Sequence, residues 1–170
     1  MNAKYLVAGT LILGVVIFMW GAVTHALLPQ PLHTFTNGDA VVAAMRANAP
    51  GNGVFLEEHG VFAAISFRPD FSDKSQDLKP DLIFQFITDT AGSLLLLLFV
   101  AHISGSLWAR AGWSAVAGLA AFSLKIMPYH TWYGFSHAFI HQELLDLVGK
   151  FFIGGLLASF LWKKWGSTSS

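Results

Sequence analysis

Four stretches of the chain are apolar for long enough to cross a bilayer, at about 5–28, 82–108, 111–127 and 135–162. A spanning helix needs about 20 such residues. The pattern therefore predicts an all-α membrane protein with four transmembrane helices in a single membrane domain, 1–170. The third stretch is near the lower limit of length. The first run exceeds the core of a signal peptide, and Thr24-His25-Ala26 makes a poor cleavage site, so it reads as an uncleaved span. Pro29 and Pro31 are placed to stop it, and Pro128 to stop the third.

The one sizeable polar segment is 29–81, read as an extracytoplasmic loop. Asn37-Gly38-Asp39 predicts a helix start and Pro50-Gly51 its end. The run 53–68 predicts two short strands about a turn at 57–60, which would make the loop a small α/β unit. Residues 70–81 read as an irregular linker. A segment of about fifty residues is small for a core of its own.

The fourth stretch carries the densest polar chemistry. At about 100° per residue, with His137 at zero, His141, Val148, Gly155 and Ser159 share one seam. Asp146, Lys150 and Glu143 fall on the opposite face. A charge in hydrocarbon costs roughly 2.5–3.5 kcal/mol on insertion scales, so both faces have reason to be covered. The expectation is that one packs on the other three helices and the other on a partner chain or a second copy. Asp146 precedes Lys150 by four, the favourable order for an ion pair on a helix. Mutual neutralisation for insertion accounts for that pair without any catalytic role. In the first span, Gly14, Gly21 and His25 mark an edge suited to close packing.

Charge sets the orientation. Lys4, Arg110, Lys163 and Lys164 fall on one side of a four-span chain, and the acidic 29–81 loop on the other. The positive-inside rule puts both termini in the cytoplasm, with the loop periplasmic in a bacterial inner membrane. Trp108, Trp113, Trp162 and Trp165 then lie near the inner face, and Tyr129, Trp132 and Tyr133 near the outer. The composition, 54% hydrophobic and 12% charged, agrees with an integral membrane protein. Zero net charge gives no electrostatic case for nucleic acid. The absence of cysteine excludes disulfides, thiol nucleophiles, iron–sulfur ligation and thioether-linked haem.

Seven histidines raise the question of haem or a transition metal. His137 and His141, four apart on one face, can ligate a metal, and His25 from the first span can add a third nitrogen. Glu57, Glu58 or His59 could close a mixed site, and His33 lies in the same loop. His25 with His141 is the one transmembrane pair at similar depth for a haem. His102 lies on the order of 30 Å from the outer end and reads as a packing histidine bonded to a neighbour or its own backbone. Against ligation, imidazoles sit comfortably in the interfacial layer as hydrogen-bonding groups.

Asp89, Lys125, Glu143, Asp146 and Lys150 form an intramembrane polar cluster. It reads either as interhelical pairing, Asp89 with Lys125 or Lys150, or as a proton, ion or headgroup site. No serine–histidine–aspartate order, phosphate loop or catalytic carboxylate pair is defensible, so hydrolase or transferase chemistry is not expected. Gly154-Gly155 with Ala158 and Ser159 suits tight helix contact.

The segments WGAVTHALLP, AVVAAMRANAP, GVF and TWYGFSHAF…LLDLVGKFFIGGLLASF resemble a family of small, uncharacterised bacterial membrane proteins. In that family an opening helix ending in WG…LP is followed by an outer loop, and a late W-Y/W-G-F stretch runs into a final helix. The resemblance implies a four-helix layout and no site residue. Three functions are open on these residues. The first is a non-catalytic membrane subunit or scaffold in a larger complex or homo-oligomer. The second is a haem- or metal-binding protein, and the third a small transporter or proton-coupled protein.

Overall fold

In the computed structural model of the chain, which describes residues 2–28, 34–58, 60–67 and 79–166, the apolar runs become helices. The stop prolines Pro29 and Pro31, His33, His59, most of the 70–81 linker and the tail after 166 lie outside the described residues. Three helices are long and apolar enough to cross a membrane: α1 (Ala3–Leu27), α3 (Lys79–Ala101) and α6 (His137–Trp165). α1 is capped by Asn2, whose side chain accepts from the Lys4 amide. α6 is capped by Ser136, which accepts from Phe139. α3 starts at Lys79, so the predicted linker gives way to helix three residues early.

The second apolar stretch does not run to 108. α3 ends at Ala101, Gly105 takes a positive φ of 117°, and Ser106 caps a new helix, α4 (Leu107–Ala121), by accepting from Ala109. Gly105-Ser106 is a stop-and-start signal that hydropathy alone smooths over. Pro128 does not end the next helix either. α4 passes through a π-helical turn, Phe122–Ile126, into α5 (Met127–Tyr133), with Pro128 in its first turn. Proline has no amide to give the preceding turn and its ring crowds the carbonyl there. A widened turn immediately upstream accommodates both. The left-handed Gly134, φ 68°, ends α5 and returns the chain to α6.

The chain divides into two units, Met1–Pro31 with Lys79–Ser170, and Leu32–Leu78. In the helical unit α6 is the shared element, in contact with α1, α3 and α4. Small residues let the backbones approach. A Cβ at Gly154 would lie 2.5 Å from Leu96 of α3. One at Gly155 would lie 2.5 Å from Ser114 of α4, and one at Gly14 2.6 Å from Thr90 of α3. The core is Tyr5, Leu13, Ile17, Leu96, Leu97, Val100, Ala158 and Leu161. Tyr5 is fully buried and donates to the Leu97 carbonyl at 3.1 Å, which satisfies its hydroxyl against α3.

Parts of both α6 faces are covered within this chain: Asp146 packs on α1 and the Gly155–Ser159 stretch on α4, while His137 and His141 at the start of that seam are exposed.

The second unit holds α2 (Gly38–Asn48) and an antiparallel hairpin of β1 (Gly53–Leu56) and β2 (Phe62–Ile65), with Gly53 opposite Ile65 and Leu56 opposite Phe62. Asn37 caps α2 by accepting from Ala40. Arg46 of α2 lies over the Phe67 ring at 4.9 Å. None of its described residues is buried, in keeping with a segment too short to enclose a core.

The α4–α6 contact yields a paired test. Gly155→Leu forces a side chain into Ser114 and is expected to cost about 1–3 kcal/mol or more, read as a lowered unfolding temperature in detergent. Gly112→Leu, with open space around it, leaves the temperature unchanged.

Candidate functional site

The polar residues of the spans gather where α1, α3 and α6 meet. α6 brings Asp146 and Lys150 one turn apart, and the lysine Nζ sits 2.7 Å from Asp146 Oδ2. α1 brings Trp20 and Thr24, also one turn apart. Thr24 Oγ1 donates to Asp146 Oδ1 at 2.7 Å, and Trp20 Nε1 donates to the Asp146 main-chain oxygen at 3.1 Å. Thr24 Oγ1 also lies 3.0 Å from the Gly21 carbonyl. A hydroxyl has one proton, and the shorter, charged acceptor takes it. Both Asp146 oxygens are thereby held, and the residue is only 8% exposed.

Two glycines make this contact possible. A Cβ at Gly149 would lie 2.5 Å from the Trp20 ring, and one at Gly21 would lie 3.4 Å from Lys150 Nζ. α1 can therefore reach the α6 backbone with its indole, and the lysine tip can pass beside α1. Sequence reasoning paired Asp146 with Lys150 but missed Trp20 and Thr24. The available signal was that Trp20, Thr24 and His25 are the polar residues of the C-terminal half of an otherwise apolar helix.

Beside this sealed pair is an open cleft. Its mouth, about 290 Å³, is walled by Phe18, Gly21, His25, Gln85, Asp89 and Lys150. A second cavity of about 170 Å³ shares Asp89 and Lys150 and continues among Ile17, Leu96 and Phe151. Gln85 Nε2 donates to Asp89 Oδ1 at 3.0 Å. Asp89 is half-buried and faces the cleft, so it differs from Asp146 in having an open side. Glu143 lies within electrostatic range of Asp146, His25 and Lys150. Of the two pairings expected for Asp89, the one with Lys125 does not form. Lys125 lies over the Tyr129 ring at 5.9 Å, because the π-helical turn carries it toward α5. Asp89 meets Lys150 across the shared cleft, while the lysine's close ion pair goes to Asp146.

The five described histidines divide among three places. His25 lines the cleft. His102 lies past the end of α3 with Nδ1 2.7 Å from the Leu98 carbonyl, its own backbone. His137 and His141 are exposed at the start of α6, ring centroids 6.5 Å apart. His130 of α5 stacks near His137 at 4.5 Å, its Nδ1 2.7 Å from the Phe135 carbonyl. A carbonyl only accepts, so Nδ1 carries the proton and Nε2 keeps the lone pair in the neutral ring. Among the described residues no three histidine, aspartate or glutamate side chains converge as a metal site. His25, His137 and His141 therefore do not form a ready three-nitrogen site, and His137 and His141 offer at most two ligands.

No family model, curated protein or solved structure matches this chain.

The buried pair carries a stability test. Lys150→Met strands the Asp146 carboxylate and is expected to cost about 3 kcal/mol, the scale for breaking a partly buried pair. Asp146→Asn combined with Lys150→Met recovers most of that loss. Unfolding temperatures in detergent read both; equal losses would contradict the pairing.

Proposed function

We propose that this is a four-span integral membrane protein that takes up and releases a proton in the α1–α3–α6 cleft, as part of a proton-coupled process. In this reading α4, the π-helical turn and α5 together supply the fourth crossing. The run 107–133 is helical throughout, about 40 Å at 1.5 Å per residue. Both termini then lie in the cytoplasm of a bacterial inner membrane and the Leu32–Leu78 unit lies outside. The family resemblance of the segments quoted above fits the same layout.

One observation carries the functional half of the proposal: Asp89 is an ionisable group inside a span with one oxygen engaged and a cleft in front of it. Ionisable residues at membrane depth are expensive, and those facing a cavity commonly mark a proton or ion path. Asp146 and Lys150 neutralise each other, whereas Asp89 borders open space. His25 and Gln85 at the mouth link it toward the interface. Lys150 lines the same cleft, with its close ion pair to Asp146.

A second reading, a non-catalytic subunit or scaffold, draws on a different observation. The Leu32–Leu78 unit has no buried described residue and exposes Phe35, Val54, Leu56 and Val61, as a partner-contacting unit would.

A hydrophobic carbodiimide, which modifies protonated carboxyls in apolar surroundings, distinguishes the two. The proton reading expects Asp89 to be modified, more strongly as pH falls, with Asp146 untouched and Asp89→Asn removing the adduct on peptide mass analysis. Asp89 unmodified at every pH would overturn that reading and favour the subunit.

A further inference from the structure

The opposite end of the helical unit has a different character. α1 begins there, α3 turns into α4 and α6 ends, as the contacts of Tyr5 with Leu97 and Trp162 show. This end carries Lys4, Arg110, Lys163 and Lys164. The chain has no aspartate or glutamate before Asp39, between Asp89 and Glu143, or after Asp146. Four cations therefore sit on stretches of α1, α4 and α6 that carry no carboxylate, the two acids of α6, Glu143 and Asp146, lying toward its other end. Two of them, Lys4 and Lys164, lie over the Trp165 ring at 5.0 and 5.6 Å.

The other two line a cavity. It measures about 430 Å³ and lies between the α3–α4 turn and the last turns of α6, with Ser106, Arg110, Ser159, Trp162 and Lys163 in its wall. The Arg110 guanidinium lies 5.7 Å from the Trp162 ring centroid. Trp162 is itself held edge-on by Tyr5 at 5.1 Å, so the arginine rests on a fixed platform. Arg110 Nε is buried and has no hydrogen-bond partner. The residue as a whole is half-buried and lines the cavity, so an acceptor there can meet its guanidinium. The Ser106 hydroxyl accepts from the Ala109 amide, which leaves its proton available to donate. Lys163 is exposed at the rim.

We propose that this cavity binds a phosphate group, with Arg110 as the main ligand and Lys163 and Ser106 completing the shell. A guanidinium offers a donor fork matched to phosphate oxygens. A basic pocket between helices at the end of a membrane bundle, floored by tryptophan, sits at the level of lipid phosphates. The same chemistry could come from an anionic phospholipid or from free phosphate. The bilayer setting favours the lipid, since its acyl chains run down the exposed flanks of α3 and α4, where Leu95, Phe99 and Trp113 face outward. This inference needs the helical unit to be embedded in a membrane and does not depend on proton uptake at Asp89.

The full chain, purified in detergent and examined by native mass spectrometry, tests it with phosphatidylglycerol, phosphatidylcholine and inorganic phosphate as probes. Phosphatidylglycerol is expected to be retained about tenfold more than phosphatidylcholine, the scale of one charge-assisted hydrogen bond. Arg110→Gln and, separately, Lys163→Gln each lower that retention, the arginine more. Lys163 is exposed, so its variant keeps the test valid if Arg110→Gln does not fold. Inorganic phosphate at millimolar concentration that displaces the lipid points to free phosphate as a source; failure to displace it assigns the site to lipid. Equal retention of the two lipids, or Lys163→Gln and a folded Arg110→Gln both binding as the parent does, would overturn the proposal.

Discussion

The burial of Asp146 is the constraint from which the rest of the helical unit follows. A carboxylate at this depth cannot face acyl chains at tolerable cost. It is enclosed instead by a lysine one turn along its own helix and a threonine on α1. That enclosure fixes the rotation of α6 and brings α1 to within the length of an indole from the α6 backbone. With that face committed, the seam running through Gly155 and Ser159 turns to α4, where Ser114 and Ala111 lie against it. α6 thus becomes the element that three others share. The glycines at 149, 154 and 155 are the geometric condition for this, since a Cβ at any of them would collide with a neighbouring helix.

The same commitment divides the chemistry between two ends. At one end the carboxylates outnumber the lysines and one of them, Asp89, borders a cleft. At the other end cations are stacked on tryptophans with no acid among them. A neutral total charge conceals this separation. A bilayer favours such a separation, because cations gathered at one surface both set orientation and meet lipid phosphates. A polar cleft toward one end and a basic cavity at the other lie on one small scaffold.

Much of this was legible beforehand. Hydrophobic length located the three long apolar helices, the i,i+4 spacing of Asp146 and Lys150 paired them, and Asn37, Pro50 and the run after Gly53 located α2 and the hairpin. What escaped was set by short-range geometry or by tertiary contact. Gly105 turns the chain between two helices and Ser106 caps the second within a run that hydropathy averages as a single span. Pro128 is absorbed by a π-helical turn that no periodicity announces. Trp20 and Thr24 acquire their roles from a residue more than a hundred positions away, which one helix's pattern cannot contain. The angular pattern of α6 shows the same limit. Angular analysis identifies a face that must be covered, without saying whose side chains cover it.

The central claim is that a charged α6 lies inside a bundle that crosses the bilayer four times, the run 107–133 supplying one crossing. The chain lacks cysteine, so single cysteines can be introduced without background. Trp108 and Trp132 are exposed near the two ends of that run, at 69% and 78%. Labelling of W108C, W132C and K164C in sealed inner-membrane vesicles with a membrane-impermeant maleimide is the most direct measurement. The account predicts that W108C and K164C react from the cytoplasmic side and W132C only from the other. W108C and W132C reacting from the same side would contradict it.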